Sequence, residues 1–434
     1  MDSGGRITLP AYAKLLRGNA NFRNLWLAQM VSEMGDWMYI VAIYNRLLEA
    51  TGGSAKSIGF AFVLQVLPQM LVAPMAGVLN DRLSRRTVMI ISDWARAAIV
   101  AAMLFAQHSQ MIWLIYVLLF LETVFWALFE PARSASIPNV VSEKDVVVAN
   151  SMASITWSFN FAVGFSIGGF IAALAGRNAV FVINVLSFVL SAILITRMRF
   201  REPHLENLPA LRARELADFS PITAGVRYVS EDKRLLATLL VKFGLGFMGA
   251  NWVLVTMLGE RKFPIHFSGV NPESAGMIGM SVLMGSRGLG ALIGPLIGTW
   301  LAGHNQARMR FGILLGFLAA STGYLLLGHA ASVPIACLAL ILGHSGGSVI
   351  WVFSTTLLQI NSLDSFRGRV FSAEFAFMTL SMSVSSAAAG VLVDAGVPLD
   401  TVVTSVGAVM LIPGAGWLAA QRLWRHRGPQ PESV

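Results

Sequence analysis

The chain holds a single cysteine, Cys337, in 434 residues, so no intramolecular disulfide can staple it. Charge is scarce as well: Asp, Glu, Lys and Arg together make up 13% of the sequence, about half of what a soluble domain carries. The seven histidines are scattered without metal-ligand spacing. No Gly-x-x-x-x-Gly-Lys-Ser/Thr phosphate loop occurs, which argues against a nucleotide-driven pump. A paired nucleophile and base is also missing, so an enzyme is the weakest reading and no cofactor is expected. Residues 1–21 are mixed polar and basic, and the apolar run after them is longer than a signal core, so no cleavable signal is expected.

What the chain has in abundance is apolar sequence. A hydrophobic content of 55% and a mean hydropathy of +0.66 describe a polytopic membrane protein. Twelve runs are long enough to cross a hydrocarbon core of ~30 Å, each needing about 20 residues. They cover 22–47, 57–79, 87–106, 111–130, 146–174, 178–196, 235–258, 274–301, 310–328, 333–359, 370–393 and 401–422. The longest hydrophilic stretch, Arg197 to Arg234, divides them six and six. The expected organisation is therefore all-α and integral to the membrane: a six-helix bundle over 1–196, a linker over 197–234 and a second bundle over 235–434. Within the linker, Leu205 to Ala217 and the spacing of Ile222, Val226 and Val229 suit short interfacial helices, although a solvated tether reads the composition nearly as well.

Basic residues orient these spans. Placing the N-terminus in the cytoplasm collects 24 of the 32 Lys and Arg residues on that side, eight of them between Arg197 and Arg234. The opposite face keeps only Arg46, Lys56, Arg177, Arg261 and Lys262. Both termini are expected to be cytoplasmic in a cell membrane. The net charge of +9 then follows from orientation rather than from nucleic-acid binding, since the cations sit in short separate loops.

Between the second and third spans, Gly77-Val78-Leu79-Asn80-Asp81-Arg82-Leu83-Ser84-Arg85-Arg86 crowds four charges into a short turn. Asp81 stays ionised at a membrane face only if a cation or a helix N-terminus answers it, and Gly77 has no side chain to hold another backbone away. In spacing this stretch resembles the loop between helices 2 and 3 of the major facilitator superfamily, with Asn80 where a small residue is usual and Ser84 where glycine is usual. Further motifs resemble the efflux branch that includes macrolide and enterobactin exporters. They are Ser32-x-x-Gly35-Asp36, Phe129-x-Pro131-Ala132-Arg133 through Ile137-Pro138, Ala149-Asn150-Ser151, Phe181-x-Ile183-Asn184 and Arg367-Gly368-Arg369-Val370-Phe371. The resemblance implies two pseudosymmetric bundles and transport of a small molecule by alternating access. An internal repeat agrees, Ala73-Pro74-Met75-Ala76-Gly77 against Gly294-Pro295-Leu296-Ile297-Gly298, though the second copy lacks the charges.

Ionisable residues at membrane depth are costly, so each is a functional hypothesis. Glu33 and Asp36, three apart, share one face of the first span at a depth of roughly 17 to 21 Å at 1.5 Å per residue. Two close carboxylates there suit proton coupling or cationic substrate binding, and a structural cap at Asp36 is the plainer alternative. Glu122 lies at similar depth in the fourth span. Arg287, in Gly285-Ser286-Arg287-Gly288, reads equally as a substrate contact or as half of a structural salt bridge. His344 in the tenth span reads as packing or as a proton carrier. Spans 6, 9 and 12 have no charge in their interiors and are expected outermost. The Gly-rich segment Gly164-x-x-x-Gly168-Gly169 is expected to allow close helix packing.

Asp93, Arg96, Glu130 and Glu374 are read as members of a cytoplasmic latch. In it Asp81 meets the start of the eleventh span at Arg367 and Arg369, while Arg82, Arg85 and Arg86 pair with Glu130 and Asp93. The expectation is a monomeric, proton-coupled exporter of an amphipathic small molecule, its partners being the substrate, protons and the bilayer. A lipid flippase or siderophore exporter, and a non-transporting sensor or scaffold, stand as alternatives. With Cys337 replaced, a cysteine at Asn207 should react with an impermeant maleimide only once the inner face is exposed; labelling from outside intact cells would overturn the orientation.

Overall fold

A computed structural model of the chain describes residues 9–106, 111–202, 205, 218–268, 271–303 and 305–424. The regular structure among them is helical, with no strand. The helices are α1 (Leu9–Gly18), α2 (Ala20–Ala50), α3 (Ala55–Arg82), α4 (Arg85–Phe105), α5 (Ile112–Val140), α6 (Val146–Ala175) and α7 (Arg177–Thr196), then α8 (Ser220–Glu231), α9 (Lys233–Leu245) and α10 (Asn251–Arg261). They continue with α11 (Ala275–Ala302), α12 (Gln306–Gly328), α13 (Val333–Asn361), α14 (Asp364–Asp394) and α15 (Leu399–Ala420). Eleven stretches are long and apolar enough to cross a membrane, α9 and α10 counting as one. The remaining long helix, α2, spans 31 residues and carries Glu33 and Asp36 within an otherwise largely apolar buried face.

Caps set the starts. Asn19 accepts from the Phe22 amide at 2.9 Å before α2, and Ser84 from the Thr87 amide at 3.2 Å before α4. Asp232 and Asn305 do the same before α9 and α12. Two elements depart from expectation. The fourth span does not stop at Glu130: α5 runs on to Val140 through Pro131 and Pro138. Arg133, which lies beyond the expected end of that span at 130, is therefore a helical residue only 6% exposed. The seventh span is broken by a 3-10 stretch, Gly246–Ala250, between α9 and α10. In the linker, α8 forms with Gly225 and Val229 buried, whereas the helix expected at 205–217 lies outside the described residues apart from Leu205.

The chain divides into two compact units, Met1–Asp218 with Thr256–Gly285, and Phe219–Val255 with Ser286–Val434. In the first, Leu15, Phe22, Leu25, Val88, Met89, Phe129, Val140 and Met152 share one apolar cluster, where α1 lays Leu15 against the ends of its neighbours. α7 exposes Val182, Leu186, Leu190 and Ile193, an apolar stripe suited to hydrocarbon, and turns Asn184 and Ser191 inward. α6 meets α2 through glycines. A Cβ at Gly168 would fall 2.6 Å from the Met38 carbonyl oxygen and one at Gly164 2.7 Å from the Trp37 Cβ. In the second unit, Val229, Leu235, Leu239, Leu358, Val370 and Ala373 join α8 and α9 to α13 and α14.

The obstacle at Gly168 is backbone, which has no way to yield, and overpacking of this kind costs about 1–3 kcal/mol or more. Gly168→Ala should lower the melting temperature and the monodisperse yield, while Gly77→Ala, where an added Cβ meets nothing within 4 Å, should leave both unchanged. Thermal denaturation of the two purified variants checks this.

Candidate functional site

The first unit holds four ionisable side chains around one point. Asp36 projects from α2, Asp93 and Arg96 from α4 and Glu122 from α5. Spacing explains the middle pair, because residues three apart on a helix share a face. Arg96 is 1% exposed, Asp93 0% and Glu122 7%. The Arg96 guanidinium donates Nε to Glu122 Oε1 at 2.8 Å and Nη2 to Asp36 Oδ2, and its Nη1 lies 3.9 Å from Asp93 Oδ1. Around this core Ser191 donates to Asp93 Oδ2 at 2.5 Å, Asn184 to Asp36 Oδ1 at 3.4 Å and Tyr39 to Glu122 Oε2 at 3.5 Å. The guanidinium also lies 4.1 Å from the Phe188 ring centre. α7, which carries no charge beyond Arg177 at its start, thus supplies Asn184, Phe188 and Ser191 to the charges of its neighbours.

Glu33 does not join this cluster. It belongs to a second network on the α6 side of α2, where Gln29 donates to Oε1 at 2.9 Å and Asn160 to Oε2 at 3.3 Å. Gln29 Oε1 accepts from Arg133 Nη1 at 3.0 Å, and Arg133 turns its Nε and Nη2 to the two carboxylate oxygens of Glu130. The two carboxylates expected to act as a pair are therefore parted. A step of three residues is about 300° of rotation, which leaves the side chains roughly 60° apart around the axis and lets each face a different neighbour.

The residues of the turn meet other partners than those expected. Asp81 is exposed, and its side chain makes no hydrogen bond or ion pair among the described residues. Arg85 donates Nη1 to the Ala135 carbonyl at 2.8 Å, and Arg86 donates to the carbonyls of Ile195 and Thr196. Glu202 accepts from the Arg85 amide at 2.7 Å and from Ser84. Glu130 is held by Arg133 and Asp93 by Ser191, so neither pairs with Arg85 or Arg86. Arg82 is partly buried. Gly77, expected to admit another backbone, has open space on its Cβ side.

In the second unit His344 and Tyr324 are hydrogen-bonded at 3.1 Å, both buried, and Arg287 lies 4.6 Å from the Trp252 ring centre. Glu374, read above as a latch residue, instead forms a buried ion pair with Lys242 at 3.0 Å, and the Lys242 ammonium lies 4.2 Å from the Trp351 ring centre. Arg369 stacks on Phe366 at 5.0 Å, Arg367 is partly buried, and the Arg369 carbonyl is packed against Gly225 of α8. Among the described residues no group of three His, Cys, Asp or Glu side chains has metal-binding geometry.

Sequence reasoning missed Arg96 as a hub and Lys242 as the partner of Glu374. The signal for Arg96 was its spacing from Asp93, together with the polar residues Asn184 and Ser191 in the interior of a largely apolar span.

Known proteins with similar sequences and folds accord with this architecture. YfiS of Bacillus subtilis (strain 168), an uncharacterized MFS-type transporter, is 26% identical over 429 residues, covering 95% of this chain and 96% of that protein. Macrolide efflux protein A of Streptococcus pyogenes is 26% identical over 374 residues, covering 84% and 87%. The putative bacilysin exporter BacE of Bacillus subtilis is 24% identical over 406 residues, covering 92% and 94%. Among solved structures, the nucleoside transporter NupG superposes with a TM-score of 0.68 at 12% identity, over 92% of this chain and 99% of that one. An inward-facing bacterial homologue of the iron transporter ferroportin gives 0.66 at 15%, over 96% and 99%. The sequence model of the Major Facilitator Superfamily matches residues 25–386, well over half of the chain, and the protein is therefore a multi-pass membrane transporter of that superfamily.

Proposed function

We propose that the protein is a monomeric, proton-coupled exporter of an amphipathic small molecule, with both termini in the cytoplasm and two six-helix bundles joined by the 197–234 linker. The observation that carries the reading is the charge count around Arg96: one guanidinium faces three carboxylates. With all four ionised the cluster would be doubly negative inside a membrane bundle. Each ion held away from water costs several kcal/mol even after relaxation, and one cation cannot offset three anions in full. A cost of that size is a large part of the roughly 5–15 kcal/mol that holds a folded protein together. A proton on one carboxylate relieves it, and the group that loses and regains that proton is coupled to whatever rearranges the cluster. Asp36, the carboxylate that α2 contributes, is the member whose loss of the Arg96 contact would loosen α2 from the cluster. The names of the efflux relatives favour export and an amphipathic cargo. The turn at 77–86 is assigned the part of a cytoplasmic latch through Asp81, which engages the start of α14 at Arg367 and Arg369 in another state of the cycle.

Labelled erythromycin in proteoliposomes with an acid lumen tests the coupling. Asp36→Asn and Glu122→Gln should each reduce gradient-driven accumulation at least about tenfold while leaving substrate counterflow without a gradient intact. Full gradient-driven accumulation in both variants would overturn the reading.

A further inference from the structure

At the end of the first unit remote from Arg85 and Arg86, the last turns of α2 and α4 and the first turns of α5 and α7 enclose a cleft. Its floor is apolar, with Ile43, Met103, Ile115 and Phe181 each no more than 6% exposed. Ile43, Met103 and Ile115 stand seven residues from Asp36, Arg96 and Glu122 respectively, which is two helical turns or about 10 Å. The cleft therefore lies over the Arg96 cluster on the same helices, yet no member of the cluster lines it. Its rim is cationic. Two of the five cations expected on the outer face meet there, Arg46 from α2 and Arg177 at the start of α7.

Glu49 joins the two arginines, but it answers them incompletely. Its Oε2 alone accepts from Arg46 Nη1 at 3.0 Å and from Arg177 Nη1 at 2.5 Å, while Asn45 Oδ1 accepts from Arg177 Nη1 at 2.9 Å. One carboxylate against two guanidiniums leaves the rim net positive. Arg46 Nε is buried and has no hydrogen-bond partner among the described residues. A guanidinium presents Nε and Nη as a fork that matches two oxygens side by side, and Glu49 offers it only one. The Glu49 side chain is also 54% exposed, against 16% for Arg46 and 30% for Arg177, so water is open to it as an alternative. Backbone adds to the positive potential, because α7 begins at Arg177 and no side chain caps its first turn.

Two guanidiniums, a buried donor without an acceptor and the start of a long helix select an oxyanion. A metal cation would be repelled, a neutral apolar ligand would leave the rim unanswered, and a monatomic anion has no second oxygen for the fork. We propose that Arg46, Arg177 and the first turn of α7 form a binding site for a phosphate or carboxylate group, in which Glu49 is an internal stand-in that the ligand displaces. The apolar floor limits the part that enters to the anionic group and a short apolar neighbour. An occupant ties the end of α2 to the start of α7, two helices that also meet at the Arg96 cluster. Binding needs neither a gradient nor a proton on that cluster, so it is independent of the coupling proposed above.

Thermal denaturation of the purified protein in phosphate-free detergent solution, titrated with inorganic phosphate, acetate or dioctanoyl phosphatidylglycerol against chloride at equal ionic strength, is the test. At least one of the three should raise the melting temperature of wild type saturably beyond chloride. Stabilisation by phosphate or acetate assigns the site to a free anion, and stabilisation by the lipid alone assigns it to a membrane headgroup. Arg46→Gln and Arg177→Gln should each raise the half-saturating concentration of that ligand about tenfold or more, and Arg46→Lys should not restore it, because an ammonium lacks the fork. Glu49→Gln should lower it severalfold by removing the internal competitor, a gain that a purely structural ion pair does not produce. Asp36→Asn should bind as wild type does, so a failure of the coupling reading leaves this result standing. No stabilisation beyond chloride by any of the three, or a Glu49→Gln protein that binds no more tightly than wild type, would overturn the site.

Discussion

The first unit depends on the guanidinium of Arg96. Four helices send groups to it or to the carboxylates it holds: Asp36 and Tyr39 from α2, Asp93 from its own α4, Glu122 from α5, and Asn184, Phe188 and Ser191 from α7. In hydrocarbon, apolar contact gives helices little reason to associate, so shape and polar contact must supply it. Here close glycine crossings hold α6 to α2, and one buried cation ties α2, α4, α5 and α7. The same feature leaves the cluster with more anion than cation, three carboxylates around one guanidinium.

The polar contents of α2 are sorted by direction. Towards α4, α5 and α7 the helix presents Asp36 and Tyr39, met by a guanidinium. Towards α6 it presents Gln29, Glu33 and Trp37, met by amides and rings. A single helix thus carries a strongly paired carboxylate and a weakly paired one about a turn apart. Among the described residues the second unit has fewer buried charges, and the Lys242–Glu374 pair is balanced one to one.

Most of the fold was legible in the sequence because its cause is compositional. Hydrocarbon demands long apolar runs, and those runs place most helices within a few residues of where they stand. The extension of α5 to Val140 was hidden by Pro131, which ordinarily marks an end, and the break between α9 and α10 by apolar residues on both sides of it. The site was legible only in part. Glu33, Asp36, Glu122, Arg287 and His344 stand out as polar residues at depth, but depth says nothing of azimuth, and a rotation of about 60° decides whether two carboxylates meet. Arg96 was misread because its distance from a helix end was weighed more than its partners. Which carbonyls Arg85 and Arg86 would find was not readable at all, since backbone acceptors on other helices leave no trace in composition.

The central claim is that the cluster around Arg96 holds a proton on one of its carboxylates at neutral pH. Infrared spectroscopy of the reconstituted protein tests this most directly, because a carboxylic acid has a carbonyl stretch that a carboxylate lacks and that shifts in deuterium oxide. The account predicts such a band in wild type at neutral pH, diminished in Asp36→Asn, Asp93→Asn or Glu122→Gln. A spectrum in which none of the three substitutions removes any acid carbonyl intensity would contradict it.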